Sequence, residues 1–265
     1  MSAATKLAQI QVKIQRGREH FTELNNKIGA FYATQPYQVM TRREPNRGLI
    51  YYLTKVEPVP THIATIAGDV IQNLRSALDH LAWQLYLIGT SGRVNDEKVY
   101  FPIADDATKY GNRLRKLTYM RADAITAFNS IQPYKGGKDE KLWILNKLNN
   151  IDKHRLLVTV GSVFRSINIG KYMTTISAPQ VQKVLGKPMP KINLFFKTAD
   201  NLYPLEKGKE LFIDKVHAQV IPDLFRCDVV INEAGLIEGA SLIETINDFI
   251  TVVEAVVKQF EPCLI

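Results

Sequence analysis

Cysteine is nearly absent from this chain of 265 residues, which contains only Cys227 and Cys263. Two cysteines far apart in the sequence exclude a disulfide framework and indicate a reducing compartment. No run of about 18 apolar residues occurs, so the sequence predicts no membrane-spanning helix. The first 20 residues are charged and periodic and lack the apolar block of a signal peptide. The sequence therefore predicts a cytoplasmic protein.

The sequence also lacks the motifs of common metal and cofactor sites. The five histidines are scattered at positions 20, 62, 80, 154 and 217, and neither H-E-x-x-H nor C-x-x-C occurs. The absence of G-x-x-x-x-G-K-[ST] and G-x-G-x-x-G disfavours NTP-binding and dinucleotide-binding folds. G-x-S-x-G, typical of serine hydrolases, is missing as well. The sequence therefore predicts no metal and no cofactor.

Positive charge is distributed unevenly along the chain. Residues 1–155 hold 23 Lys and Arg against 14 Asp and Glu, whereas residues 156–265 hold 11 against 12. The net charge of +8 therefore comes from the first 155 residues. Such an excess is typical of a surface that binds a polyanion such as nucleic acid, and ordinary solubility is the alternative interpretation.

The periodicity of apolar residues changes near residue 155. Before it, apolar positions at intervals of three and four predict helices over 5–28, 61–88, 105–129 and 139–152, and residues 48–57 favour a strand or extended connector. After it, short segments rich in β-branched and aromatic residues predict an antiparallel sheet. These segments are RLLVTVGSVF, KYMTTIS, KINLFF, ELFIDKVHAQV and FRCDVVIN.

A final amphipathic pattern predicts a helix over 239–260, in which Ser241 and Glu244 form a capping box ahead of the apolar residues that begin at Ile246. The predicted fold class is therefore α+β, with a basic helical bundle in residues 1–155. Residues 156–265 form an antiparallel sheet region that ends in the C-terminal helix.

The helix predicted over 61–88 has two distinct faces. Its apolar residues lie on one side, while Arg75, Ser76, Asp79 and His80 lie on the other at about 100° per residue. The second face also carries three large apolar or aromatic side chains: Trp83, Tyr86 and Leu87. Such residues among polar ones indicate that another part of the chain or a second subunit covers this face.

Arg75 and Asp79 have the i, i+4 spacing of a helix ion pair. In one interpretation they form a structural pair worth about 0.3–0.5 kcal/mol, with His80 an incidental neighbour. In the other interpretation, Arg75 and His80 belong to a functional site. The spacing alone does not decide between them.

The stretch RSALDH resembles the Arg-x4–6-His signature of the HEPN superfamily. The resemblance covers at most residues 1–155 and implies a helical bundle, often a metal-independent endoribonuclease, whose two subunits bring their motifs together across a dimer cleft. Arg75 and His80 carry the signature, and Ser76 departs from the Asn or Asp more common after the Arg. GDVIQNLRSALDHLAWQL, FPI and NIDKHRLL also resemble a widespread group of uncharacterised bacterial proteins, which implies no activity.

The chemistry of these residue types suits metal-independent RNA cleavage. An imidazole with a pKa near 6.5 can act as general acid or base towards the 2′-hydroxyl or the leaving 5′-oxygen. A guanidinium can stabilise the charge on the phosphoryl group. Asp79 is a candidate for orienting His80 or holding Arg75, and Trp83 for stacking on a base, although Trp83 also suits interface packing.

A second polar cluster comprises Lys153, His154 and Arg155 at the end of a predicted helix. One interpretation is that they interact favourably with the negative end of the helix dipole. The other is that His154 and Arg155 join Arg75 and His80 in one pocket, where Lys153 adds to the field that binds phosphate.

Two functions follow from these residues. The first is a homodimeric, metal-independent endoribonuclease or RNA-binding HEPN-like protein, of bacterial toxin or defence type. Its catalytic residues are Arg75 and His80. The alternative is a non-catalytic protein- or ligand-binding α+β protein in which Arg75 and Asp79 form a structural pair.

Overall fold

A computed structural model describes most of the chain. The described residues are 2–93, 99–162, 203–215 and 227–265, with the shorter pieces 167–168, 170–173, 175, 183, 186, 195–196, 220 and 224–225. The α-helices considered below are α1 (Ala3–Ala33), α2 (Thr61–Gly89), α3 (Ala107–Leu114), α4 (Ala122–Ser130), α5 (Glu140–Asp152) and α6 (Leu242–Phe260). A 3₁₀ turn, Glu261–Leu264, follows α6.

The strands pair in antiparallel fashion. They are β1 (Tyr37–Glu44), β2 (Gly48–Val56), β3 (Thr159–Ser162), β4 (Ile167–Asn168), β5 (Phe195–Phe196), β6 (Glu210–Asp214), β7 (Asp228–Glu233) and β8 (Ile237–Ser241). One sheet has the order β1-β2-β6, a second has the order β3-β7-β8, and β4 pairs with β5. The predicted α+β fold class is confirmed.

Helix α2 lies at the centre of the main core. It packs against α1, α5 and α6, and its apolar stripe is buried along its whole length. The same buried cluster extends from Ile10 in α1 to Leu264 after α6 and includes Val229 and Ile231 of β7. The main core thus draws on residues from both sides of position 155, and the division there into two domains stays a prediction.

Several predicted elements differ from the structure. The helix predicted over 105–129 is two helices, because Leu117 and Met120 between them turn into the core and are buried. The segment 239–260 begins as a strand, since β8 pairs with β7 through a turn at Gly235, whose φ of +70° favours glycine. In KYMTTIS, residues 171–173 are helical, with Asn168 accepting a hydrogen bond from the Lys171 N–H.

Other predicted elements agree with the structure where it describes them. The helices predicted over 5–28, 61–88 and 139–152 and the strand over 48–57 correspond to α1, α2, α5 and β2. RLLVTVGSVF, ELFIDKVHAQV and FRCDVVIN contain β3, β6 and β7. KINLFF ends in β5, and its first four residues lie outside the described residues. Residues 216–219 of ELFIDKVHAQV also lie outside them. Ser241 caps α6 by accepting from the Glu244 N–H at 3.5 Å.

A search of the described helices for a membrane span finds none with the length and apolar character required. The cytoplasmic location stays a prediction.

Candidate functional site

The side chain of Arg75 is held by contacts inside the protein. Its Nε donates to Oδ1 of Asn146 on α5 at 2.9 Å, and its Nη1 donates to Oδ1 of Asp79 at 2.5 Å. Its Nη2 donates to the Phe101 carbonyl at 3.4 Å. Only 11% of the side chain is exposed. The guanidinium therefore joins α2 to α5 and to the segment before α3.

Asp79 completes this connection. Its Oδ1 accepts from the Phe101 N–H at 2.9 Å as well as from Arg75. The Arg75–Asp79 pair predicted from the i, i+4 spacing is thus present, and it anchors a loop rather than lying on a solvated helix face. No local pattern could identify Asn146 and Phe101, because both lie more than 20 residues from their partners.

His80 occupies a different environment from Arg75, although both lie on α2. The imidazole is exposed and lines a pocket of about 460 Å³. The other lining residues are Gln9, Asp79, Trp83, Gln84, Leu87 and Val99. We call this the His80 pocket. Ser76, one turn before it, is half-buried.

Of the two aromatic residues on this face of α2, one is covered by the chain itself. Tyr86 is buried, and the Tyr119 ring meets it edge to face with centroids 4.7 Å apart. The Trp83 ring stacks on the Tyr86 ring, with centroids 5.6 Å apart and an interplanar angle of 25°. Tyr86 is thus covered by another part of the chain, as predicted, whereas Trp83 and Leu87 are half-buried and line the His80 pocket.

A second pocket lies where α5 ends, beside the turn between β7 and β8. It has a volume of about 680 Å³. The lining residues are Lys135, Trp143, Lys147, Asn150, Ile151, His154, Arg155, Gly235 and Leu236. We call it the basic pocket, because three lining residues are cationic and none is a carboxylate. Lys153, the C-cap residue of α5, does not line the pocket, but it is exposed and directly precedes His154 of the lining.

The cations of the basic pocket are positioned by neighbouring acids and by one indole. Lys147 lies 2.7 Å from Asp105 Oδ1, which also accepts from Trp143 Nε1 at 3.0 Å. The hydrogen bonds from Lys147 and then Trp143 lower the pKa of Asp105 to about 2. The ammonium groups of Lys135 and Lys147 lie 5.9 and 5.6 Å from the centre of the Trp143 ring.

Arg155 is fixed by a bidentate ion pair. Its Nη1 and Nη2 donate to the two Glu233 oxygens at 3.1 and 2.6 Å, and the hydrogen bond to Glu233 raises the pKa of Arg155. Glu233 also accepts from the Val158 N–H at 2.8 Å. The Arg155 side chain is nevertheless 54% exposed, so one side of the guanidinium remains open to a ligand.

The structure separates the residues that the sequence analysis singled out. Asp79, His80 and Trp83 line the His80 pocket, whereas His154 and Arg155 line the basic pocket. The guanidinium of Arg75 is occupied elsewhere. The structure therefore does not bring Arg75, His80, His154 and Arg155 together in one pocket.

Among the described residues, no group of three or more His, Cys, Asp or Glu side chains is arranged to hold a metal ion. Comparison of the chain with known protein families, with curated proteins and with solved structures finds no match to any of them.

Proposed function

We propose that this protein binds single-stranded RNA through the basic pocket. The observation that carries the proposal is the pocket's lining: three cationic side chains, an imidazole and an amide surround a cavity of about 680 Å³ that no carboxylate lines. Phosphate oxygens are the acceptors for which such donors are suited. The HEPN resemblance favours RNA among the polyanions.

The availability of two lysines supports the proposal. Lys135 and Lys153 are exposed, and neither forms an ion pair with any residue that the structure describes. Arg155 and Lys147 are paired, but their acids hold them in place at the pocket wall. Two cations without an ion pair among the described residues, beside two that are ion-paired, provide donors for successive phosphates of a single strand.

The charge distribution supports the same surface. All of the positive excess lies in residues 1–155, and the lysines, His154 and Arg155 of the basic pocket belong to that part. Long-range attraction by this excess would speed RNA association.

RNA binding is tested by fluorescence anisotropy with a labelled 20-nucleotide RNA in EDTA. Four phosphate contacts, one each for Lys135, Lys147, Lys153 and Arg155, predict a slope of log K against log salt of about −2.8, or roughly 50-fold weaker binding between 50 and 200 mM KCl. A slope near zero, or no binding at 50 mM, would contradict the proposal. Duplex DNA of the same length serves as the comparison for single-strand preference.

A second candidate function is the metal-independent endoribonuclease implied by the HEPN resemblance. What favours it is that His80 is exposed and lines a pocket beside Asp79, as a general acid or base requires. What weighs against it is Arg75, whose guanidinium donates to three protein acceptors and whose side chain is only 11% exposed. The homodimer implied by the resemblance also stays a prediction.

If this candidate is correct, RNA incubated in EDTA is cut, and His80→Ala slows the cleavage by about 100-fold or more. The matched control is His62→Ala, which removes another exposed histidine of α2. Cleavage that persists unchanged in His80→Ala, or that is missing from the wild type, rules out this function while leaving RNA binding open.

A further inference from the structure

The His80 pocket contains a carboxylate oxygen that accepts no hydrogen bond from any residue that the structure describes. Oδ1 of Asp79 accepts both of that side chain's hydrogen bonds, from Arg75 and from the Phe101 N–H. Oδ2 accepts none in the described part of the chain, and 27% of the side chain remains exposed. A carboxylate held at one oxygen and open at the other is a fixed acceptor for ligand N–H groups.

Trp83 gives the same pocket a flat aromatic wall. Tyr86 stacks against the indole and is itself fixed by Tyr119, so the ring has little freedom to rotate. The indole is half-buried and lines the pocket, with Leu87 and Val99 as apolar neighbours. Rigid aromatic rings of this kind stack on nucleobases and contribute about 1–3 kcal/mol per base.

A pair of amides completes the wall. Gln84 is buried and donates through Nε2 to Oε1 of Gln9 at 2.8 Å, which links α2 to α1. The Oε1 of Gln84 accepts no hydrogen bond from the described residues. That oxygen is buried, so the two amides fix the pocket wall and leave Asp79 as the acceptor for a ligand. Beside the Trp83 surface, this acceptor favours a ligand that is flat and carries N–H donors.

We infer that the His80 pocket binds a guanine base, stacked on Trp83 with its N1–H and N2–H groups both donating to Oδ2 of Asp79. Guanine is the one RNA base that presents two adjacent N–H donors on its pairing edge. Adenine and cytosine place a ring acceptor beside their amino group, and the single N–H of uracil lies between two carbonyl oxygens. A carboxylate repels those acceptors, so the pocket discriminates by charge as well as by fit.

The inference rests on the proposed RNA binding, for which it names the base that is recognised. The basic pocket would hold phosphates without regard to sequence, while the His80 pocket would supply base preference. The exposed imidazole of His80 lies in the wall of the same pocket.

Nucleosides test the base site without involving phosphate. Guanosine is expected to quench the fluorescence of Trp83, and inosine, which lacks the N2 amino group, to bind about 10-fold more weakly because one hydrogen bond to a charged acceptor is lost. Adenosine and cytidine are expected to bind more weakly still. Equal affinity for guanosine and inosine, or tighter binding of adenosine or cytidine, overturns the inference.

Two variants assign the signal to the correct indole. Trp143→Phe should keep the guanosine-dependent quenching, since Trp143 is buried beside the other pocket. Trp83→Phe should lose it. Quenching that disappears with Trp143 instead places the nucleoside elsewhere and overturns the inference.

Failure of the base site and failure of RNA binding give different results. If a cytidine-only RNA binds with the expected salt slope but guanosine does not quench Trp83, the guanine site is wrong and RNA binding stands. If guanosine quenches Trp83 but no RNA binds, the base site stands and the proposed RNA binding is wrong. Guanosine quenching together with tighter binding of guanine-containing than of cytidine-only RNA supports both.

Discussion

Replacing Arg75 with alanine is expected to lower the free energy of unfolding by about 3 kcal/mol, the lower end of the range for breaking a buried ion pair. The lower end applies because Asp79 is 27% exposed and water can partly solvate it after the change. The loss also removes the donors to Asn146 and to the Phe101 carbonyl. Urea denaturation followed by circular dichroism measures the effect.

The matched control for this substitution is His80→Ala. His80 lies five residues further along α2 and is exposed, so its removal is expected to change stability by less than about 0.5 kcal/mol. A stable, folded Arg75→Ala protein would mean that the guanidinium does not support the fold. The wild-type guanidinium of Arg75 would then be available for the catalytic role that the HEPN signature implies.

The regular helices could be predicted because their apolar periodicity is local. The prediction of 61–88 for α2 differs from the observed end at Gly89 by one residue. Strand β1 was not predicted, because its sequence YQVMTRRE contains three charged residues. It is held by pairing with β2 and by the ion pair between Arg42 and Glu210 of the distant strand β6, neither of which a local pattern reveals.

The candidate site shows the same division between local and long-range information. The Arg75–Asp79 pair follows from helix geometry, and its partners Asn146 and Phe101 do not. Likewise, the run Lys153, His154 and Arg155 is visible in the sequence. Its neighbours in the basic pocket come from the segment before α5, from α5 itself and from the β7–β8 turn.

Reversing the charges of Lys135 and Lys153, the two lysines at the basic pocket that form no ion pair with a described residue, is the second change with a large expected effect. The double variant Lys135→Glu/Lys153→Glu is expected to weaken RNA binding at least about 30-fold at 100 mM salt, since two phosphate contacts are lost and replaced by repulsion. The slope of log K against log salt should become shallower by about 1.4, or about 0.7 for each phosphate on a single strand. Neither lysine contributes an ion pair to the described part of the fold, so stability should change little.

The comparison with a second double variant tests the central claim most directly. Lys27→Glu/Lys116→Glu changes the net charge by the same amount at two exposed lysines, one on α1 and one after α3, that line neither pocket. RNA anisotropy at 100 mM salt should show the large loss for Lys135→Glu/Lys153→Glu and at most a few-fold loss for the control. Equal losses in the two variants would show that total charge alone attracts RNA, and would contradict binding at the basic pocket.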